Sequence, residues 1–229
     1  MGDWFPKALG ACAALVLATG CAAKTDGPVR EAPPRRSIDV FGDSLALGTG
    51  ASDASLGFTF LLFRSIEQRE PTAQITDYAV GGARLADLES IEIPRARGEA
   101  PTDVWICGGA NDVTRGTPAA KFPVQARRLL GSVRARWPRA ALVVFGVPDV
   151  SRSPLFAGYA RNGLHRAAQR DNAALQAAAR SAGARFVDLF AFSQSVGITG
   201  RYLAADNFHP NDQGHAAIAA YAAKALGLR

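Results

Sequence analysis

The sequence predicts an α/β fold, a three-layer α/β/α sandwich on a five-stranded parallel sheet. Three observations carry that expectation. Short apolar runs alternate with segments of helical spacing from Ser37 onward. That order builds parallel βαβ units, and right-handed crossovers then cover both faces of the sheet. The chain has 229 residues, 48% hydrophobic and 20% charged, which suits one domain with a sizeable core and excludes a mainly disordered chain. Clusters of Gly, Asp, Asn and Ser follow the strand-like runs, at the sheet edge where open α/β proteins bind ligands.

Taken in order, the chain starts with an address. Residues 8–19 (ALGACAALVLAT) form an uncharged apolar run behind Lys7. The run is shorter than the roughly 20 residues of a bilayer span and has the length of a signal-peptide core, about 7–15 residues. Residues 22–36 hold Pro28, Pro33, Pro34 and six charged side chains, and read as a linker. Ala18-Thr19-Gly20-Cys21 resembles the lipobox of bacterial lipoproteins, in which the cysteine is lipidated and becomes the new N-terminus. The expected division is a signal peptide over 1–20, lipidated Cys21 and a flexible tether over 21–36, and one domain over 37–229. The resemblance implies an exported, membrane-anchored lipoprotein of the bacterial cell envelope; simple cleavage to a soluble secreted or periplasmic protein is the alternative.

Within the domain, residues 37–41, 73–78, 104–107, 141–145 and 185–189 read as strands. Residues 56–69, 118–136 and 164–182 carry helical spacing, 212–226 supply an Ala-rich last helix, and 83–90 are a shorter helical candidate. There is no internal repeat. The net charge of +6, from 26 basic and 20 acidic residues, names no partner. Arg127, Arg128, Arg134 and Arg136 lack interleaved aromatics and fit a solvated helix face, so no nucleic-acid partner is expected. Three cysteines are too few for a disulfide scaffold, and Cys107, inside an apolar run, reads as a small buried hydrophobe.

The polar clusters, in order, are Phe41-Gly42-Asp43-Ser44-Leu45, Gly81-Gly82, Gly109-Ala110-Asn111-Asp112 and Asp206-Asn207-Phe208-His209. A serine hydroxyl is a poor nucleophile until a base takes its proton. His209 is the candidate base, and Asp206, three residues earlier, is placed to reach its other ring nitrogen. Together the blocks resemble the SGNH hydrolases, also called GDSL esterases and lipases, over nearly the whole domain. The resemblance implies a flavodoxin-like sandwich, a catalytic triad of Ser44, His209 and Asp206, and an oxyanion hole from the backbone N–H of Ser44, that of Gly82 and the Asn111 side-chain amide. The second block departs from the family pattern, with Asp77 near the place where the family has Asn, so Gly81 remains an alternative donor to Gly82.

The expected activity is therefore hydrolysis of carboxylic esters through an acyl-enzyme on Ser44, without a cofactor. Carboxylesterase, lysophospholipase and thioesterase chemistry all fit. The partners are a small acyl ester, a lipid or an acetylated glycan, with the membrane reached through the anchor. A non-catalytic envelope binding protein on the same fold and an acyltransferase with the same triad are the alternatives. Phe156 and Tyr159, in the apolar segment 148–162, are candidates for the acyl pocket wall. Asp43 and Asp112 read as braces of their turns. His215 falls six residues after His209 without helical partners, so no metal site is expected. His165 reads as an exposed residue ahead of an Arg- and Ala-rich helix.

Overall fold

A computed structural model describes Met1 and residues 35–156, 158–196 and 200–228. The expected signal peptide, Cys21 and nearly all of the tether lie outside the described residues, as does the Tyr159 side chain. Five strands form one wholly parallel sheet: β1 (Ser37–Gly42), β2 (Gln74–Asp77), β3 (Asp103–Cys107), β4 (Ala141–Phe145) and β5 (Arg185–Val187), in the order β2-β1-β3-β4-β5. The helices are α1 (Phe58–Glu67), α2 (Leu85–Asp87), α3 (Ile93–Arg95), α4 (Ala110–Thr114), α5 (Phe122–Arg136), α6 (Tyr159–Ser181), α7 (Leu189–Val196) and α8 (Asp212–Leu226).

Alternate residues of each strand feed different layers. Ile38 and Val40 of β1, Trp105 and Cys107 of β3, and Val143 and Phe145 of β4 pack with α1, α7 and α8. Phe41, Val104, Ile106, Leu142 and Val144 pack on the other face with α2, α3, α5 and α6. Burial on both faces is why these strands read as continuous apolar runs. The helices present narrower stripes: α1 buries Phe58, Thr59, Leu62, Phe63 and Ile66, and α5 buries Phe122, Ala126, Leu129, Leu130 and Val133, the spacing of one helical face. Phe145 makes edge contacts with both Phe58 and Trp105, at centroid distances of 5.2 and 6.0 Å.

Three elements differ from the sequence expectation. The short helical candidate after Arg84 continues to Arg95, through a π-helical turn at Leu88–Glu92. Pro94 does not stop it because Pro sits in the first turn of α3, where no backbone donor is needed. Helix α6 begins at Tyr159 rather than near Leu164, so His165 lies inside it, and its Nδ1 is 2.8 Å from Oδ2 of buried Asp149. His165 is thus part of the helix and paired with Asp149, while its side chain stays 42% exposed. Helix α7 follows β5 almost at once and has no counterpart in the periodicity of the sequence.

The strand order reverses between β1 and β3. Ligands in such sheets bind beyond the strand ends at that switch point. Ser44 follows β1 and Asn111 follows β3, so both blocks reach it.

Candidate active site

Gly42 ends β1, and a Cβ there would lie 2.2 Å from the Cys107 carbonyl oxygen. Only glycine lets β1 approach β3 this closely, and the chain then breaks into tight turns. Asp43 is buried and its Oδ1 accepts the Leu45 N–H at 3.0 Å, which braces the turn that carries Ser44. The Thr49 N–H closes it on the Ser44 carbonyl at 3.0 Å. Burial pushes the Asp43 carboxyl up to about 6, and the Leu45 N–H works against that shift. Asp112 is buried too, accepting from the Leu85 N–H at 3.0 Å and the Thr117 hydroxyl at 2.8 Å.

The histidine comes from the loop before α8. His209 Nε2 lies 2.9 Å from Ser44 Oγ, and its Nδ1 lies 2.5 Å from Asp206 Oδ2. The other Asp206 oxygen accepts the backbone N–H groups of Phe208 and His209, at 2.9 and 3.0 Å. Partial burial works against the Asp206 charge, but the hydrogen bonds from the His209 ring and from these two N–H groups outweigh it and hold the carboxyl below its ordinary range. Between acid and base, Asn207 takes φ +58, a left-handed conformation that Asn tolerates better than most residues. The Ser153 hydroxyl donates to the Asn207 carbonyl at 2.5 Å, and Leu203 bridges Pro210 across the loop.

The three donors expected for an oxyanion surround the same edge. Among the described residues, neither the Ser44 nor the Gly82 backbone N–H has a protein acceptor. Gly82 takes φ +81, and its carbonyl accepts from Arg115 at 3.0 Å. The Asn111 amide donates to the Ala83 carbonyl at 3.1 Å, and its other approach, to Asp43 Oδ2, is 3.5 Å. At that length the second N–H is barely engaged. One cavity is lined by Ser44, Asn111 and His209; Gly82 does not line it. Phe156 does not line it either. It packs edge-on behind Phe208 at 6.0 Å and lines a separate depression with Val113 and Leu164. The segment after β4 sends Pro148, Val150 and Ser153 into the cavity instead, and the chain then turns Phe156 away.

Several supporting residues carry no clear signal in the sequence. Gly50, with φ +95, lies against the histidine loop: a Cβ there would sit 2.4 Å from the Pro210 carbonyl oxygen and 2.8 Å from the His209 Cβ. The stretch Gly48-Thr49-Gly50 is legible by itself only as a fragment of a dinucleotide-binding pattern. His215 is fully buried; its Nδ1 accepts the Phe58 N–H at 3.2 Å and its Nε2 donates to the Thr49 carbonyl at 3.1 Å. It is a brace between α8, the loop after Ser44 and α1. No group of three or more His, Cys, Asp or Glu side chains among the described residues is placed to hold a metal.

Glu92, fully buried in the π-helical turn, lies directly beneath the turn that carries Ser44. Its Oε2 accepts the Gly42 N–H at 2.8 Å, while Oε1 has no partner among the described residues. Burial, and then the nearby carboxyl groups of Asp43 and Asp77, push it up to about 8 against the hydrogen bonds from backbone N–H groups. Cys107, whose thiol burial also pushes upward, is close by.

A model of the GDSL-like lipase/acylhydrolase family matches residues 40–217. Among solved structures, TesA is similar with a TM-score of 0.69 and 21% identity, covering 85% of this chain and 100% of its own. The psychrotrophic esterase EstA from Pseudoalteromonas sp. has a TM-score of 0.65 at 17% identity, covering 84% of this chain and 97% of its own. Axe2, an acetyl xylan esterase from Geobacillus stearothermophilus, has a TM-score of 0.65 at 17% identity, covering 85% of this chain and 95% of its own. At these identities the likeness is one of fold. A comparison with curated protein sequences finds no match.

Replacing Gly50 with Ala forces a Cβ into the histidine loop in a conformation that disfavours side chains. A displacement of about 1 Å costs about 10²-fold in rate, so kcat/KM on a soluble ester should fall by that order while far-ultraviolet circular dichroism is kept. Wild-type activity in the variant would exclude this packing role. For Glu92, the folded state holds a proton between the ordinary 4.5 and about 8 that the unfolded chain has lost, so its contribution to stability falls as pH rises across that window. Glu92→Gln keeps an acceptor for Gly42 without the charge. Urea unfolding should show the variant gaining on wild type, on the order of a few kcal/mol, between pH 5 and pH 8. A gap unchanged with pH would refute the assignment.

Proposed function

The chain belongs to the GDSL-like lipase/acylhydrolase family, and on that premise we propose that it hydrolyses carboxylic esters through an acyl-enzyme on Ser44. The observation that carries the reading is the continuous contact from Asp206 through His209 to Ser44, at 2.5 and 2.9 Å. With Nδ1–H donated to Asp206, the neutral imidazole presents Nε2 as a base toward the serine hydroxyl.

Attack of Ser44 Oγ on the ester carbonyl transfers the hydroxyl proton to His209 Nε2. Asp206 orients the ring and stabilises the resulting imidazolium. The tetrahedral oxyanion is offered the Ser44 and Gly82 N–H groups and the Asn111 N–H that only weakly approaches Asp43, donors held in place before charge develops. Collapse expels the alcohol, which takes its proton from His209. Water then enters, gives its proton to the same nitrogen and attacks the acyl-enzyme; Ser44 leaves as the hydroxyl with that proton returned. Binding alone would give no use to a serine held against a histidine, which favours hydrolysis over a purely ligand-holding role.

We also propose that the protein is exported and anchored through lipid on Cys21. The support is the sequence of residues 8–21 and the proline-rich segment after it.

Hydrolysis of p-nitrophenyl acetate and butyrate by wild type and Ser44→Ala tests the first reading. The variant should lose about 10³-fold or more, on the scale of removing a triad nucleophile, and a fluorophosphonate should label Ser44 in wild type only. Equal turnover by both proteins would sink it. Fractionation of cells producing the full chain tests the second: wild type should enter the detergent phase and Cys21→Ala should not, whereas identical partitioning would reject a lipid on that residue.

A further inference from the structure

The cavity that opens on Ser44 and His209 extends well past them. It is also lined by Leu189, Phe192 and Val196 of α7, by Ala217 and Ile218 of α8, and by Leu203 of the loop between them. Leu189, Leu203 and Ile218 belong to the buried core, so this part of the cavity reaches inward from the sheet edge. The polar group that α7 brings to it is already satisfied: the Ser193 hydroxyl donates to the Leu189 carbonyl at 2.6 Å and accepts the Asp149 N–H at 2.9 Å. Apart from Tyr202 in the loop before α8, a ligand lying here meets methyl groups, methylenes and the Phe192 ring, with no charge and no free hydrogen-bonding group on α7 to recognise a sugar or a phosphate.

We propose that this space between α7 and α8 is the acyl-chain site, and that it selects linear acyl groups of about four to eight carbons. The proposal rests on the reading of Ser44 as the nucleophile. Its length limit comes from volume. The whole cavity, its mouth at Ser44 and His209 included, measures about 90 Å³ on a scale where one water needs about 10–15 Å³, which leaves room for about six to nine water-sized groups. A chain that enters leaves water for an apolar wall, worth about fourfold in affinity per methylene, the equivalent of about 0.8 kcal/mol per buried CH₂. Residues on α7 and α8 therefore set chain length, while the catalytic groups at the mouth are the same for every ester. Phe192 stands at this wall and is backed by Tyr221, at a centroid distance of 5.1 Å. Ala217, a small side chain on the α8 wall, is the point where added bulk would fill the space.

The test uses p-nitrophenyl esters from acetate to dodecanoate, so that the alcohol is constant and only the acyl chain varies. Wild type should show kcat/KM rising about fourfold per methylene from acetate to hexanoate and falling beyond octanoate. In Ala217→Phe the hexanoate-to-acetate ratio of kcat/KM should drop at least tenfold; Ala217→Leu, a smaller intrusion, should lower it less and guards against a folding failure of the first variant. Phe192→Ala should move the optimum toward longer chains by about two carbons. Turnover that depends on Ser44 but prefers acetate, or whose chain-length profile none of these variants shifts, overturns the acyl-site proposal and leaves the nucleophile standing. Turnover retained by Ser44→Ala at every chain length overturns the nucleophile reading instead.

Discussion

The closeness of β1 to β3 at Gly42 sets the course of both chain segments that leave the sheet there. With a Cβ excluded by the Cys107 carbonyl at 2.2 Å, the two strands stay in register to their last residues, Gly42 opposite Cys107. The next residues of each therefore leave the sheet side by side. One exit carries Asp43 and Ser44 and the other carries Gly109 and Asn111. An open α/β sheet has one such reversal, and here its two flanking loops supply the serine and the amide. A bulkier residue at Gly42 would move Ser44 and Asn111 relative to each other before it altered the hydrophobic core.

That junction is costly to hold. Asp43 and Glu92 are buried beneath it, and burial pushes both carboxyls upward, to about 6 and about 8. Each accepts a backbone N–H from the same turn, Leu45 for Asp43 and Gly42 for Glu92. A turn that must leave the Ser44 N–H without an acceptor gains rigidity from side chains that engage the N–H groups on either side of it. Two nearby carboxyl groups cannot both ionise cheaply in such a place, so the rigidity holds best where Glu92 keeps its proton. Departures from ordinary core composition are expected where a fold carries a site, and these two residues lie beneath this one.

Much of this is legible in the sequence because the strands and the Ser44, Asp206 and His209 blocks have local signatures. Residues such as Val104, Trp105 and Ile106 announce a strand buried on both faces, and Asp206 and His209 belong to one turn. The rest depends on contacts between distant segments. Glu92 sits among Glu89, Ile91 and Ile93 and looks like a solvated helix charge; only the π-helical turn, which shifts the helical phase, aims it at Gly42. His215 shows no pattern because its partners, Thr49 and Phe58, are more than 150 residues earlier. Phe156 has the composition of a pocket wall, but the turn after Val150 sends it behind Phe208. Helix α7 follows β5 with no turn signal of glycine or proline, so periodicity does not separate the two, and the apolar residues that line the cavity have no place in a reading of the sequence alone.

The Asp206–His209 pair and Ser44 are consequently held by different means. Asp206 and His209 are aligned by their own turn: two backbone N–H groups and a left-handed Asn207 set the carboxylate, and the pair would keep its geometry if the whole loop shifted. Ser44 is set by the sheet. The proposed reaction requires the two units to meet within a few tenths of an ångström, so the contacts between them matter more than those within either. Four residues make that joint. Gly50 allows the loops to touch, His215 ties the loop after Ser44 to α8, and Ser52 donates both its N–H and its hydroxyl to Asp212 at 2.7 Å. Asp212 and His215 lie on the first turn of α8, directly after the histidine loop. The helix thus registers one unit against the other, and its next turn, through Ala217 and Ile218, reaches the wall of the cavity. On the proposed reading, a change there acts on acyl chain and triad through the same element, which is why a substitution that fills the cavity must be judged by a ratio of rates between chain lengths and not by loss of rate alone.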